Sequence, residues 1–174
     1  MKFIILGLFF SLSLQAQTYS LSQSSMTYKG THALKTFEGT STQGKGKGQC
    51  GETSCEFLVA VAVKSFDSGN SNRDLHMLET MKGAAHPMIV ARLEFPKTEL
   101  AKKEMLLNAE IEVAGVKKNI QLSGIQKSPT ENGFGVNFVI PFKLTDFNIE
   151  RPSLLTLKMD DLVPVKVQAE WAKN

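Results

Sequence analysis

Three histidines, two cysteines and one glycine-rich run ending in lysine are the residues whose types and spacing could do chemistry in this 174-residue chain. His76 and Glu79 stand three apart in a segment of helical periodicity, so an imidazole and a carboxylate share one face there, with Asp74 nearby. His32 and His86 lie elsewhere in the chain. Imidazole and carboxylate suit zinc and other transition metals, and His76, Glu79 and His86 would carry a metal-dependent or hydrolytic site. No second ligand pair accompanies them in sequence, so no metal and no cofactor is assigned. A structural role in hydrogen bonding is the alternative for Arg73, Asp74 and His76. A serine hydrolase would need a Gly-x-Ser-x-Gly elbow, which is missing. Gly39 to Lys45 spaces glycine and lysine as in a phosphate loop, but Gly46 stands where Ser or Thr is required. No helix follows to aim its amides at a phosphate, so the run reads as a bent strand.

Cys50 and Cys55 bracket Gly51-Glu52-Thr53-Ser54. In an oxidising compartment such a pair reads as a disulfide across a hairpin tip. A metal site would want a second Cys or His pair, and a redox dithiol is normally Cys-x-x-Cys. So short a loop limits the stabilisation to about 2 kcal/mol. The compartment is read from the N-terminus. Lys2, the apolar stretch Phe3–Leu14 and the small residue Ala16 have the order of a secretory signal peptide over 1–16, too short to span a bilayer. The expected mature domain, 17–174, is therefore periplasmic or secreted, without stable membrane insertion. It holds 19 Lys and Arg against 17 Asp and Glu, well mixed along the chain. That excludes a nucleic-acid footprint.

The elements that must position these residues are mostly strands. Phe57, Val59, Val61 and Val63 alternate with smaller or charged neighbours; so do Ile89, Ala91, Leu93 and Phe95, and then Met105, Leu107, Ala109, Ile111 and Val113. Ile120 and Leu122, Phe134 to Phe142, and Val163 to Trp171 continue the pattern. Tyr19 and Leu21 fall out of phase with Met26 and Tyr28, which predicts a bulge. Lys35 to Gln49 reads as a bent strand leading to the cysteine tip. One helix is expected near 72–83, capped by Asn70 or Ser71, with Leu75, Leu78 and Met81 as its apolar face. About eight antiparallel strands with one dry face make a sandwich or a closed barrel. With no Cys…Trp…Cys spacing, the barrel is preferred.

Four segments in order resemble the YceI-like proteins. They are Lys64-Ser65-Phe66-Asp67-Ser68-Gly69-Asn70-Ser71-Asn72-Arg73-Asp74-Leu75-His76-Met77, then His86 to Phe95, then Ala109 to Lys118, then Phe138 to Phe147. The resemblance covers about Thr18 to Trp171. It implies an all-β fold with a single eight-stranded antiparallel lipocalin-like barrel, exported, holding a polyisoprenoid or other long-chain lipid inside and not acting as an enzyme. Two segments depart from the family pattern: Met81 to His86, where bulky aromatics are usual, and the Cys50–Cys55 tip. Both are expected at the barrel's mouth.

By parity alone the apolar stripes would point inward, either as a solid core or as the wall of a cavity. With the resemblance, Phe57, Val59, Val61, Ile89, Leu93, Leu107, Ile111, Phe138 and Ile140 are expected to line a lipid-holding interior. Arg73, Asp74 and His76 are expected to organise the turn and helix closing one end. The expected partner is a long-chain lipid; oligomeric state is not encoded in any feature above.

Overall fold

The computed structural model describes residues 16–32, 35–127, 130–154 and 156–174; the expected signal peptide lies outside them, apart from Ala16. The chain enters through β1 (Gln17–His32), β2 (Lys35–Ser41), β3 (Lys45–Cys50) and β4 (Ser54–Ala62), followed by one helix, α1 (Ser71–Thr80). It continues through β5 (Met88–Pro96), β6 (Glu104–Val113), β7 (Val116–Gln126) and β8 (Gly133–Lys143). A small hairpin, β9 (Ser153–Leu154) and β10 (Leu157–Lys158), precedes the last strand, β11 (Leu162–Lys173).

The sheet runs β11-β8-β7-β6-β5-β4-β3-β1-β2, and β11 also pairs with β1, which closes it into a barrel. β2 and β3 serve as one wall position: β1 pairs Met26 with Ser41 and Ser20 with Lys47 in one unbroken register. Counted so, the wall has eight antiparallel strands, as the alternation predicts. The bent strand of the sequence reading is this β2–β3 pair, interrupted at Thr42-Gln43-Gly44. The predicted bulge is also present, where the β1–β11 register slips between Leu21 and Gln23. Before it Tyr19 and Leu21 pack inward, and after it Met26 and Tyr28 do. The β2–β3 strand changes face at the same level, from buried Gly39 and Ser41 to buried Gly48 and Cys50. A bulge that bends both strands together lets the wall curve without exposing either apolar stripe.

One end of the barrel carries the β3–β4 tip, the other α1. Cys50 and Cys55 are directly paired and disulfide-bonded, with both side chains almost wholly buried. Their tip is thus opposite the helix and not at the mouth, contrary to expectation. Strand direction fixes this: β4 starts at the disulfide and must finish at the other end before α1 can follow.

α1 begins where Asn70 accepts a hydrogen bond from the Arg73 amide at 3.0 Å, a side-chain N-cap. It ends where the Lys82 and Gly83 amides donate to the carbonyls of Glu79 and Leu78, with Lys82 in the left-handed region at φ 53°. Only part of the expected apolar face is used. Leu75 is 61% exposed, while Arg73, His76, Met77, Thr80 and Met81 border the interior. Nothing in α1 is fully buried, so it rests across the barrel end rather than packing into it. Among the described residues no helix is long and apolar enough to cross a membrane.

Candidate functional site

The inward stripes do not meet in the middle. Between them runs an apolar cavity in which the space open to the centre of a water-sized sphere is about 290 Å³, room for roughly twenty or more methylene-sized groups. Phe57, Val59, Val61, Ile89, Leu93, Leu107, Ile111, Phe138 and Ile140 all line it. Five of these (Val59, Ile89, Leu93, Phe138 and Ile140) are inward by parity yet only partly buried, because the space they face is open. A solid core would have left them dry.

The disulfide end is shut by rings. Phe57 sits 4.7 Å from Trp171, 5.5 Å from Phe95, 5.9 Å from Phe134 and 5.7 Å from Tyr19, centroid to centroid. Edge-to-face and offset contacts of this kind are the favourable aromatic geometries. Room for the rings comes from β3, where a side chain on Gly48 would run into Phe57 and one on Gly46 into Trp171. From sequence this run reads as a bent strand with no packing role for its glycines; their signal was the alternation Gly44, Gly46, Gly48.

The helix end carries the polar groups. Arg73, His76 and Thr80 border the cavity there, beside Met77, Met81, Pro152 and Met159. Arg73 and Asp74 converge on Ser68, which the sequence reading did not single out. The Arg73 guanidinium donates to the Ser68 hydroxyl at 2.8 Å and carbonyl at 2.7 Å, and lies 5.1 Å from the centre of the Phe37 ring. The Asp74 carboxylate accepts from the Ser68 hydroxyl at 2.5 Å and its amide at 3.2 Å. Charge-assisted bonds of this sort fix a turn. Tyr28 stands close beneath. Burial pushes its hydroxyl above the usual tyrosine range and the Asp74 carboxylate adds to this, while Arg73 and Ser68 act the other way.

His76 does not join that network. Its Nδ1 is 3.6 Å from Glu79 Oε2, with both side chains mostly exposed. The His86 ring stands against Gly115 in the turn between β6 and β7. The histidines are not brought together, and among the described residues no three His, Cys, Asp or Glu side chains could share a metal ion.

A closed antiparallel barrel with a hollow apolar interior, one plugged end and one polar end defines a lipocalin-like class of protein. Residues 18–171 match the YceI-like domain family, and the chain belongs to that family. No curated protein sequence matches it. Among solved structures it is similar to a polyisoprenoid binding domain from Saccharophagus degradans implicated in plant cell wall breakdown. That likeness has a TM-score of 0.70 at 16% identity, over 90% of this chain and 98% of that one. BcnA of Burkholderia cenocepacia matches with a TM-score of 0.69 at 12% identity, over 84% of this chain and 95% of that one. The Campylobacter jejuni YceI protein matches with a TM-score of 0.56 at 13% identity, over 100% of this chain and 90% of that one. At these identities the structural likeness speaks for the fold.

Proposed function

We propose that this protein is an exported carrier that holds a long-chain apolar lipid, polyisoprenoid-like or fatty-acid-derived, in the barrel interior. The observation that carries the reading is the continuous apolar cavity, with side-chain polar groups confined to the helix end. The polyisoprenoid-binding relative from Saccharophagus degradans supports it, as does the disulfide for export.

Elementary energetics sets the ligand's size. Each methylene removed from water contributes about 0.8 kcal/mol, while association costs roughly 4–15 kcal/mol in lost freedom. About twenty buried carbons contribute roughly 16 kcal/mol and so leave about 1–12 kcal/mol, a range centred on binding in the tens of micromolar. Short chains fall below that. A polar headgroup placed deep in the cavity would find no partners among Phe, Val, Ile and Leu, so it belongs at the helix end near Arg73 and Thr80. Holding, not reaction, is the mechanism, and no residue is assigned a catalytic role.

Native mass spectrometry of protein isolated gently from its own host tests the reading. The expected result is a non-covalent adduct with the mass of a long-chain lipid. Protein that carries no extractable lipid and binds no long-chain fluorescent probe overturns it.

A further inference from the structure

Pro141 on β8 and Pro164 on β11 are directly paired across the two strands. In an antiparallel ladder a pair either exchanges two hydrogen bonds or makes none, and in the second case its polar groups point to the strands outside. Two prolines cannot exchange amide hydrogen bonds, so this pair is of the second kind. Pro141 therefore turns its donorless nitrogen toward β7, and Pro164 turns its own toward β1.

Both neighbouring ladders stop at that level. β7 pairs with β8 only from Gln126–Val136 to Ser123–Val139. One step of two further on, Pro141 would face Gln121 and the bond needs the missing amide. β1 pairs with β11 as far as Tyr28–Val165, where the next residues would be Lys29 and Pro164. Past the proline pair the two strands are bonded to each other, through Phe142–Val163 and Lys143–Leu162, but to neither neighbour. They carry segments 144–153 and 156–161, whose Leu144, Pro152 and Met159 line the cavity.

We propose that this ribbon end is a hinged lid over the polar end of the barrel, and that the bound lipid enters and leaves when it swings at the Pro141–Pro164 pair. The inference rests on the lipid-holding reading above. Opening breaks no ladder bonds to β7 or β1, because the prolines have already removed them. The neck is braced from within: Asp161 accepts from the Thr145 hydroxyl at 2.7 Å and amide at 3.0 Å, and Arg151 donates to the Met159 carbonyl at 2.7 Å. Such bracing favours motion as one piece. The polar ties to the rest of the barrel are few, and the remaining ones are apolar, with Leu144, Phe147, Ile149 and Met159 packed in one cluster with Ile111, Val113 and Leu122. The Asp160 amide donates to the Thr31 carbonyl at 2.9 Å, His32 Nε2 lies 2.9 Å from the Leu157 carbonyl oxygen, and Lys82 Nζ donates to the Asn148 carbonyl at 3.4 Å. Phe147 and Ile149, fully buried, latch it shut by packing that opening must undo, so the closed state is the resting one.

The test replaces the hinge. Pro141→Val/Pro164→Val returns both donors and lets the ladders zip past the hinge. With a polyene long-chain fatty acid as fluorescent probe, stopped-flow association and dissociation should both slow about tenfold, the worth of one or two regained hydrogen bonds, at unchanged Kd. New amides at 141 and 164 that are protected from hydrogen exchange while both rates stay as in wild type overturn the lid. If those amides are not protected, His32→Ala/Lys82→Ala decides: it removes two ties and should raise both rates together, and unchanged rates again overturn the lid. A wild-type protein that carries no extractable lipid and binds no probe instead ends the lipid-holding reading. The hinge is then judged by exchange alone: amides of Leu144, Phe147, Ile149 and Met159 opening together ahead of the strands support it, and opening only on global unfolding refutes it.

Discussion

A hollow barrel and a solid one lose stability differently when their walls are cut back. Phe57, 5% exposed, is the centre of the aromatic plug and touches four other rings. Phe57→Ala removes its transfer energy and leaves a void among rigid neighbours, so about 3–5 kcal/mol is expected. Ile89 and Ile140 face the cavity toward its helix end and are only partly buried. Truncating either to Ala enlarges a space already empty; the side chain had few partner atoms on that side, and the cost should be only about 1–2 kcal/mol. At roughly 2–4 °C per kcal/mol for a domain of this size, Phe57→Ala lowers the melting temperature by about 6–20 °C and each isoleucine change by about 2–8 °C. Differential scanning calorimetry on delipidated protein reads both, and a probe at a hundred times its Kd should add about 2.7 kcal/mol to the wild type. If Ile89→Ala and Ile140→Ala cost as much as Phe57→Ala, the interior is packed solid and the carrier reading loses its foundation.

Asp74→Ala leaves the Ser68 amide and hydroxyl without their carboxylate and should cost about 1–3 kcal/mol; an unchanged chemical-denaturation midpoint would reduce the Ser68 cluster to decoration. Gly48→Val places a branched side chain where the Phe57 ring lies and should cost about 1–3 kcal/mol by overpacking, with a blue-shifted or lost near-ultraviolet signal from Trp171 as a second readout. Opening the disulfide as Cys50→Ser/Cys55→Ser should lower stability by about 2 kcal/mol, the loop entropy of so short a ring, and leave probe binding at the far end unchanged. The Thr145 hydroxyl, then its amide, holds the Asp161 carboxyl below the usual range. A depressed folded value means that the bracing is complete above the unfolded value of about 3.9 and fades as the pH falls through the folded one. The Thr145 amide resonance should therefore stay constant from neutral pH into the ordinary carboxylate range and move only below it; a shift centred above pH 5 would contradict the hydrogen bonds.

What the sequence determined by itself was everything that depends on neighbours along the chain. Period-two alternation set the strands and their dry faces, so the nine inward residues could be named before any coordinates. The phase slip between Leu21 and Met26 announced the bulge, and Asn70 the helix start. The matched segments announced the family. The tertiary structure decided what depends on distant parts meeting. The helix face was read only in part: Met81 borders the opening as its spacing suggests, but Leu75 points to solvent, because α1 lies over an opening and presents Arg73 and Met77 to it. The cysteine tip went to the far end because strand direction, counted around a closed ring, puts it there. Ser68 showed no signal alone; it matters because Arg73 and Asp74 both reach back to it. Nor could alternation tell a full barrel from an empty one, since parity says which way a side chain points and not whether another meets it. The hinge was hidden for the same reason: Pro141 and Pro164 are 23 residues apart in sequence, and only the β8–β11 register sets them face to face.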